Sequence, residues 1–83
     1  MTDSIESQVI DIIAKRRKID RSTVTLESTF EQLGIDSLEA ADLVFTFEDT
    51  FGIVVPDEAA QSMKTVQQVV EGVRRLMAER TGT

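Results

Sequence analysis

Apolar residues recur along this chain with the period of a helix. Ile5, Val9, Ile12 and Ile13 fall at i, i+4, i+7 and i+8, one face of an amphipathic helix. With Thr2 or Asp3 as N-cap, this first helix runs over about residues 3–17. A second stripe, Leu38, Ala41, Val44, Phe47 and Phe51, predicts a helix over about 37–51, closed by Gly52 in the left-handed conformation. Phe45 falls off that stripe and is expected at the surface. Pro56 presets the backbone for a short third helix over about 57–62, with Ala59, Ala60 and Met63 available to pack. Thr65 and Gln68 have the spacing of a capping box for a last helix, about 65–79. Its apolar face is Val66, Val69, Val70, Val73, Leu76 and Met77, and Gly72 weakens it by about 1 kcal/mol relative to Ala.

Two stretches break the helical period. Residues 19–34 are rich in Ser, Thr and Asp and read as a long loop. Val24, Leu26, Phe30 and Leu33 are its expected anchors, with Ser28 and Glu31 spaced to cap one short helical turn. The run Ile53 Val54 Val55 has no partner run elsewhere and reads as an extended connection. The expectation is an all-α, small four-helix bundle, one domain over 1–83, with three longer helices, one short third helix and a long first loop.

Composition narrows what such a bundle can do. Eighty-three residues leave room for one modest core. With no Cys and no His, disulfides, thiol nucleophiles and the usual general base are all missing, so no catalytic residue is expected. The net charge of −6 argues against nucleic-acid binding and favours a basic protein partner. No apolar run is long enough to span a bilayer and no signal-peptide pattern opens the chain, so the expectation is a cytoplasmic monomer without membrane insertion. The cations Lys15 Arg16 Arg17 Lys18 complement the negative end of the first helix more simply than they make a nucleic-acid patch.

The acids are unevenly placed. Between Arg21 and Lys64 there is no Lys or Arg, while Glu27, Glu31, Asp36, Glu39, Asp42, Glu48, Asp49, Asp57 and Glu58 all fall in that interval. Glu39 and Asp42 are helical neighbours that repel. A solvated face is the ordinary reading of a charge run; here the absence of interspersed cations favours a recognition surface. The interval lacks the alternating oxygen ligands and central Gly of an EF-hand loop, so no metal site is expected and divalent binding is loose.

One hydroxyl sits where a loop becomes a helix, in Leu33 Gly34 Ile35 Asp36 Ser37 Leu38. Gly34 permits a tight turn, Asp36 is a good N-cap, and Leu38 is the first apolar residue able to point inward. The helix start, with its unpaired N–H groups and positive dipole end, favours a phosphate. As a hydrolase nucleophile Ser37 would need a base. There is no His, Lys15, Lys18 and Lys64 lie outside the helix, and no Gly-x-Ser-x-Gly elbow is present. Plain capping remains open.

At these residues the chain resembles an acyl carrier protein, whose hallmark is an Asp Ser Leu triplet carrying phosphopantetheine on the serine. The likeness extends through the acidic helix Leu38 to Phe51, the link Gly52 Ile53 Val54 Val55 Pro56 Asp57 Glu58, and the closing helix that begins Thr65 Val66 Gln67. It implies a 4′-phosphopantetheine arm transferred from coenzyme A to Ser37, between Asp36 and Leu38, by a separate Mg-dependent phosphopantetheinyl transferase. It also implies a non-catalytic carrier of acyl thioesters for fatty-acid or polyketide assembly. Partners would be the transferase, a ketosynthase, an acyltransferase and related enzymes with basic docking surfaces. Glu39, Asp42, Glu48, Asp49 and Asp57 would meet them, with Leu38, Phe45 and Ile53 adding apolar contact. The cargo would slip between the second, third and fourth helices, facing Val44, Phe47, Ile53, Val55, Met63 and Val69. Leu43 Val44 Phe45 Thr46 Phe47 Glu48 departs from fatty-acid carriers, which place Met, Ala and Leu in the middle positions, and this leaves a specialised pathway open. Peptidyl carriers more often show Gly Gly His Ser or Gly Gly Asp Ser before the leucine. That same fold with a peptidyl or amino-acyl cargo, or an unmodified acidic interaction module, are the alternatives.

Overall fold

A computed structural model describes residues 4–81. Among the described residues four α-helices follow one another: α1 (Ser4–Arg17), α2 (Ser37–Phe51), α3 (Asp57–Ser62) and α4 (Val66–Thr81), with a 3₁₀ turn at Arg21–Thr23 in the first loop. Among the described residues there is no strand, only an isolated bridge between Thr29 and Thr65. The fold is an all-α bundle. The expected α1 cap at Thr2 or Asp3, and the chain end at Gly82 and Thr83, lie outside the described residues.

One fully buried layer joins the three long helices: Val9 and Ile13 from α1, Leu43 and Phe47 from α2, and Val66, Val69 and Val73 from α4. The buried edge of α2 is Leu43, Phe47 and Phe51, spaced four apart, with Ala40 and Val44 half-buried beside it. This corrects the expected phase. Leu38 is 78% exposed and Ala41 is exposed too. The stripe turned inward is the i, i+4, i+8 row through Leu43, and Leu38 falls on the opposite side of the first turn.

Three turns close in the same way. Lys18, Gly34 and Gly52 adopt positive φ, at 57°, 75° and 65°. Each is followed by an isoleucine whose N–H reaches back five residues: Ile19 to the Ala14 carbonyl at 3.0 Å, Ile35 to Phe30 at 2.9 Å and Ile53 to Glu48 at 3.1 Å. This is the Schellman closure, in which the residue after the left-handed position turns an apolar side chain inward. Ile35 and Ile53 are indeed buried and Ile19 half-buried.

The long loop is pinned. Phe30 N–H donates to the Lys64 carbonyl, Val66 N–H to Ser28 and Gln67 N–H to Leu26, all at 3.0 Å, so residues 26–30 run against the start of α4. Val24 and Phe30 are buried, Leu26 and Leu33 half-buried. The cap of the short turn before Gly34 falls one residue later than Ser28 and Glu31. Thr29 Oγ1 accepts from Gln32 N–H at 3.0 Å, and Gln32 Oε1 accepts from Thr29 N–H at 3.1 Å. Ser28 Oγ is already engaged, accepting from Thr25 N–H at 3.1 Å. The same reciprocal box joins Thr65 and Gln68 at the head of α4, with both bonds at 3.1 Å.

Candidate functional site

Ser37 is the first residue of α2 and is exposed. The preceding residue, Asp36, is extended at φ −85° and ψ −179°, and its Oδ1 accepts from Glu39 N–H at 2.8 Å. That bond satisfies one of the helix's orphan donors and aims the first turn outward. Asp36, Ser37 and Leu38 are all exposed, so the hydroxyl stands clear of the core at the positive end of the helix. This electrostatic setting and the open approach fit a phosphodiester on Ser37.

Beside Ser37 an open groove of about 550 Å³ runs between α2 and α3, lined by Val44, Phe45, Val55, Ala60 and Met63 among others. Phe47, Ile53 and Val69, expected to face it, do not line it; they are packed into the core instead. Val54 is 79% exposed and Ile53 is 6% exposed, so the apolar surface expected at Ile53 lies at Val54. Side chains of an extended segment alternate, and the Schellman closure commits Ile53 inward; Val55 follows it and Val54 must face out. That parity was readable in Ile53 Val54 Val55 once Gly52 was taken as the closure.

The carboxylates assigned to partner contact sit in three different settings. Asp49 and Asp57 are exposed, Asp57 on the rim of the groove. Glu48 is half-buried, and its Oε2 accepts from the Val55 N–H at 2.7 Å, holding the link between α2 and α3 against α2. Glu39 and Asp42 are met by the last turn of α1. Arg17 Nη1 donates to both Glu39 oxygens at 2.8 and 3.0 Å, and Arg16 reaches Asp42 at 3.1 Å. Phe45 is 73% exposed. Beyond complementing their own helix end, Arg16 and Arg17 reach across to α2 and neutralise one side of it. Nothing in their spacing of more than 20 residues from the acids announces those pairs. Among the described residues no group of three or more His, Cys, Asp or Glu is placed to hold a metal ion.

An exposed serine thus stands at a helix start beside a groove between two helices. Comparison with known proteins identifies the family. The family model described as "Phosphopantetheine attachment site" matches residues 7–82. The acyl carrier protein of Rickettsia canadensis is 38% identical over 74 residues, covering 88% of this chain and 86% of its own. The mitochondrial acyl carrier protein of Dictyostelium discoideum is 35% identical over 71 residues, covering 86% of this chain and 59% of its own. In structure, the chain is similar to the acyl carrier protein of Thermotoga maritima, with a TM-score of 0.78 and 31% identity over 89% of this chain and 87% of that one. The chain belongs to the acyl carrier protein family. Members of that family are carriers, not catalysts, and its prosthetic group is 4′-phosphopantetheine.

Proposed function

We propose that Ser37 is the attachment point of the phosphopantetheine arm and that the chain carries acyl intermediates for fatty-acid or polyketide-type biosynthesis. The observation that supports this best is the exposed Ser37 hydroxyl on a capped first turn, beside the groove between α2 and α3. When bound, the arm supplies a terminal thiol that holds acyl groups as thioesters, which a chain without Cys cannot do itself.

The residues of this chain have simpler tasks. Asp36 holds the first turn through Glu39 N–H, and the dipole end of α2 favours the charge of a phosphodiester. No side chain here removes the serine proton; a separate Mg-dependent phosphopantetheinyl transferase, using coenzyme A, provides the base. Leu38, Phe45 and Val54 form the exposed apolar contacts for that enzyme and for a ketosynthase or acyltransferase. Asp49 and Asp57 present exposed negative charge toward basic docking surfaces. Exposed charge pairs favour rapid association over tight residence, which suits a carrier that visits many enzymes in turn. Val44, Val55 and Met63 give the groove an apolar wall for cargo.

The test is intact mass. The chain incubated with coenzyme A, Mg²⁺ and a broad-range transferase should gain one phosphopantetheine, and Ser37→Ala should gain none. An unchanged wild-type mass, or an adduct on Ser37→Ala, overturns the assignment.

A further inference from the structure

We propose that Arg17 is a positioning residue for Ser37, its guanidinium gripping the turn before the serine and the helical turn after it. This rests on Ser37 being the modified residue. Residues 36–38 are exposed and bring no side chain into the core, so beyond the Asp36 cap their orientation is set by what flanks them. Ile35 is a buried anchor on one side. Arg17 ties both flanks together: Nε donates to the Leu33 carbonyl at 3.1 Å, while Nη1 donates to both carboxylate oxygens of Glu39 at 2.8 and 3.0 Å.

One planar group thus joins the end of α1 to positions four residues before and two residues after Ser37. Gly34 belongs to the same arrangement. A Cβ there would lie 3.0 Å from Arg17 Nη2, so glycine gives the left-handed turn and leaves room for the guanidinium. Arg17 and Glu39 are both half-buried, where a charge-assisted pair is better shielded from solvent than at the surface. A lysine, with a point charge and no fork, cannot make both contacts at once. The Arg17 charge is neutralised by Glu39, so its role is orientation and not attraction of a partner.

The experiment compares wild type, Arg17→Lys and Arg17→Ala in transferase kinetics, with circular dichroism establishing the folded fraction at the assay temperature. Both variants should lose about tenfold or more in kcat for pantetheinylation, since small misplacements of a reacting atom are costly, while KM for the carrier stays within about twofold. Lysine restoring the wild-type rate, or a change confined to KM, makes Arg17 a docking charge and overturns the proposal. So does a rate loss fully accounted for by unfolded protein. Amide hydrogen exchange on the unmodified chain gives a readout independent of transfer. In Arg17→Ala, exchange at residues 33–40 should quicken by about fivefold or more while residues 66–77 hold their protection; uniform quickening, or none, refutes the positioning role. If wild type gains no mass, the carrier reading fails, and exchange alone still decides what Arg17 does.

Discussion

Phe45 and Phe47 stand two residues apart on α2 and have opposite fates: 73% exposed against 1% exposed. Two residues of α-helix turn through about 200°, so the pair samples opposite faces of one rod. The inner face belongs to the core. Phe47 rests on Phe51, ring centroids 6.5 Å apart and tilted at 37°, within the layer that joins α1, α2 and α4. The outer face carries Leu38, Ala41 and Phe45 over about two turns, flanked by Asp42 and Asp49. Stability accounts for the first face. The second leaves large apolar side chains in solvent, which core packing does not call for.

The comparison breaks most directly at the two rings. Phe47→Ala should cost about 3–5 kcal/mol in urea unfolding, from lost burial and the cavity left behind, a large share of what holds so small a domain. Phe45→Ala should stay within about 0.5 kcal/mol of wild type while weakening partner enzymes, seen as a raised KM for the carrier. Equal losses of stability from the two truncations would mean that Phe45 is also a core residue.

A sharper contrast lies in two adjacent acids. Glu48→Ala removes the acceptor of the Val55 N–H, 2.7 Å away in a part-buried setting, and should cost about 1–3 kcal/mol. Asp49→Ala removes an exposed charge and should leave stability within about 0.5 kcal/mol, its effect falling on partner binding at low salt. Counted in the sequence, the two look alike; their geometry sets them apart.

The chain closures give a smaller effect with opposite signs. Gly52→Ala places a Cβ at φ 65°, where nothing crowds it, so the loss of about 1 kcal/mol is backbone strain alone. Lys18 already bears that strain at φ 57°. Lys18→Gly should therefore stabilise by about 0.5–1 kcal/mol in thermal melts.

Which features were legible in the sequence follows from their range. Asp36, Gly52, and the Thr65 and Gln68 pair are local devices, each decided within a few residues, and each stands where its residue type placed it. Ser37 was legible for the same reason: a helix start is a local event. The phase of α2 was not, because Leu38 and Leu43 are equally apolar and only packing against α1 and α4 chooses between them. The roles of Glu39 and Glu48 were hidden too. Each depends on a donor supplied by another segment, Arg17 from 22 residues away and the Val55 N–H from 7. Charge counts place these carboxylates on an acidic face without revealing the bonds that the fold gives them. Lys18 shows the converse: a closure with no glycine to mark it.

The weakest effect tests the charge side of the comparison. On the α1 side, Arg16 and Arg17 neutralise Asp42 and Glu39; salt weakens those pairs and should destabilise. On the other side Asp49, Asp57 and Glu58 are exposed, and salt relieves their repulsion. With a net charge of −6 repulsion outweighs the paired attraction, so raising NaCl from low ionic strength to about 0.5 M should lift Tm, by about 2–5 °C for a gain of a few tenths to 1 kcal/mol. Because no three-carboxylate cluster exists among the described residues, Mg²⁺ should act as screening charge, matching NaCl at equal ionic strength. A flat NaCl titration would show that the paired and unpaired sides cancel. A rise already complete at millimolar Mg²⁺ would show instead that the outer acids close around a cation.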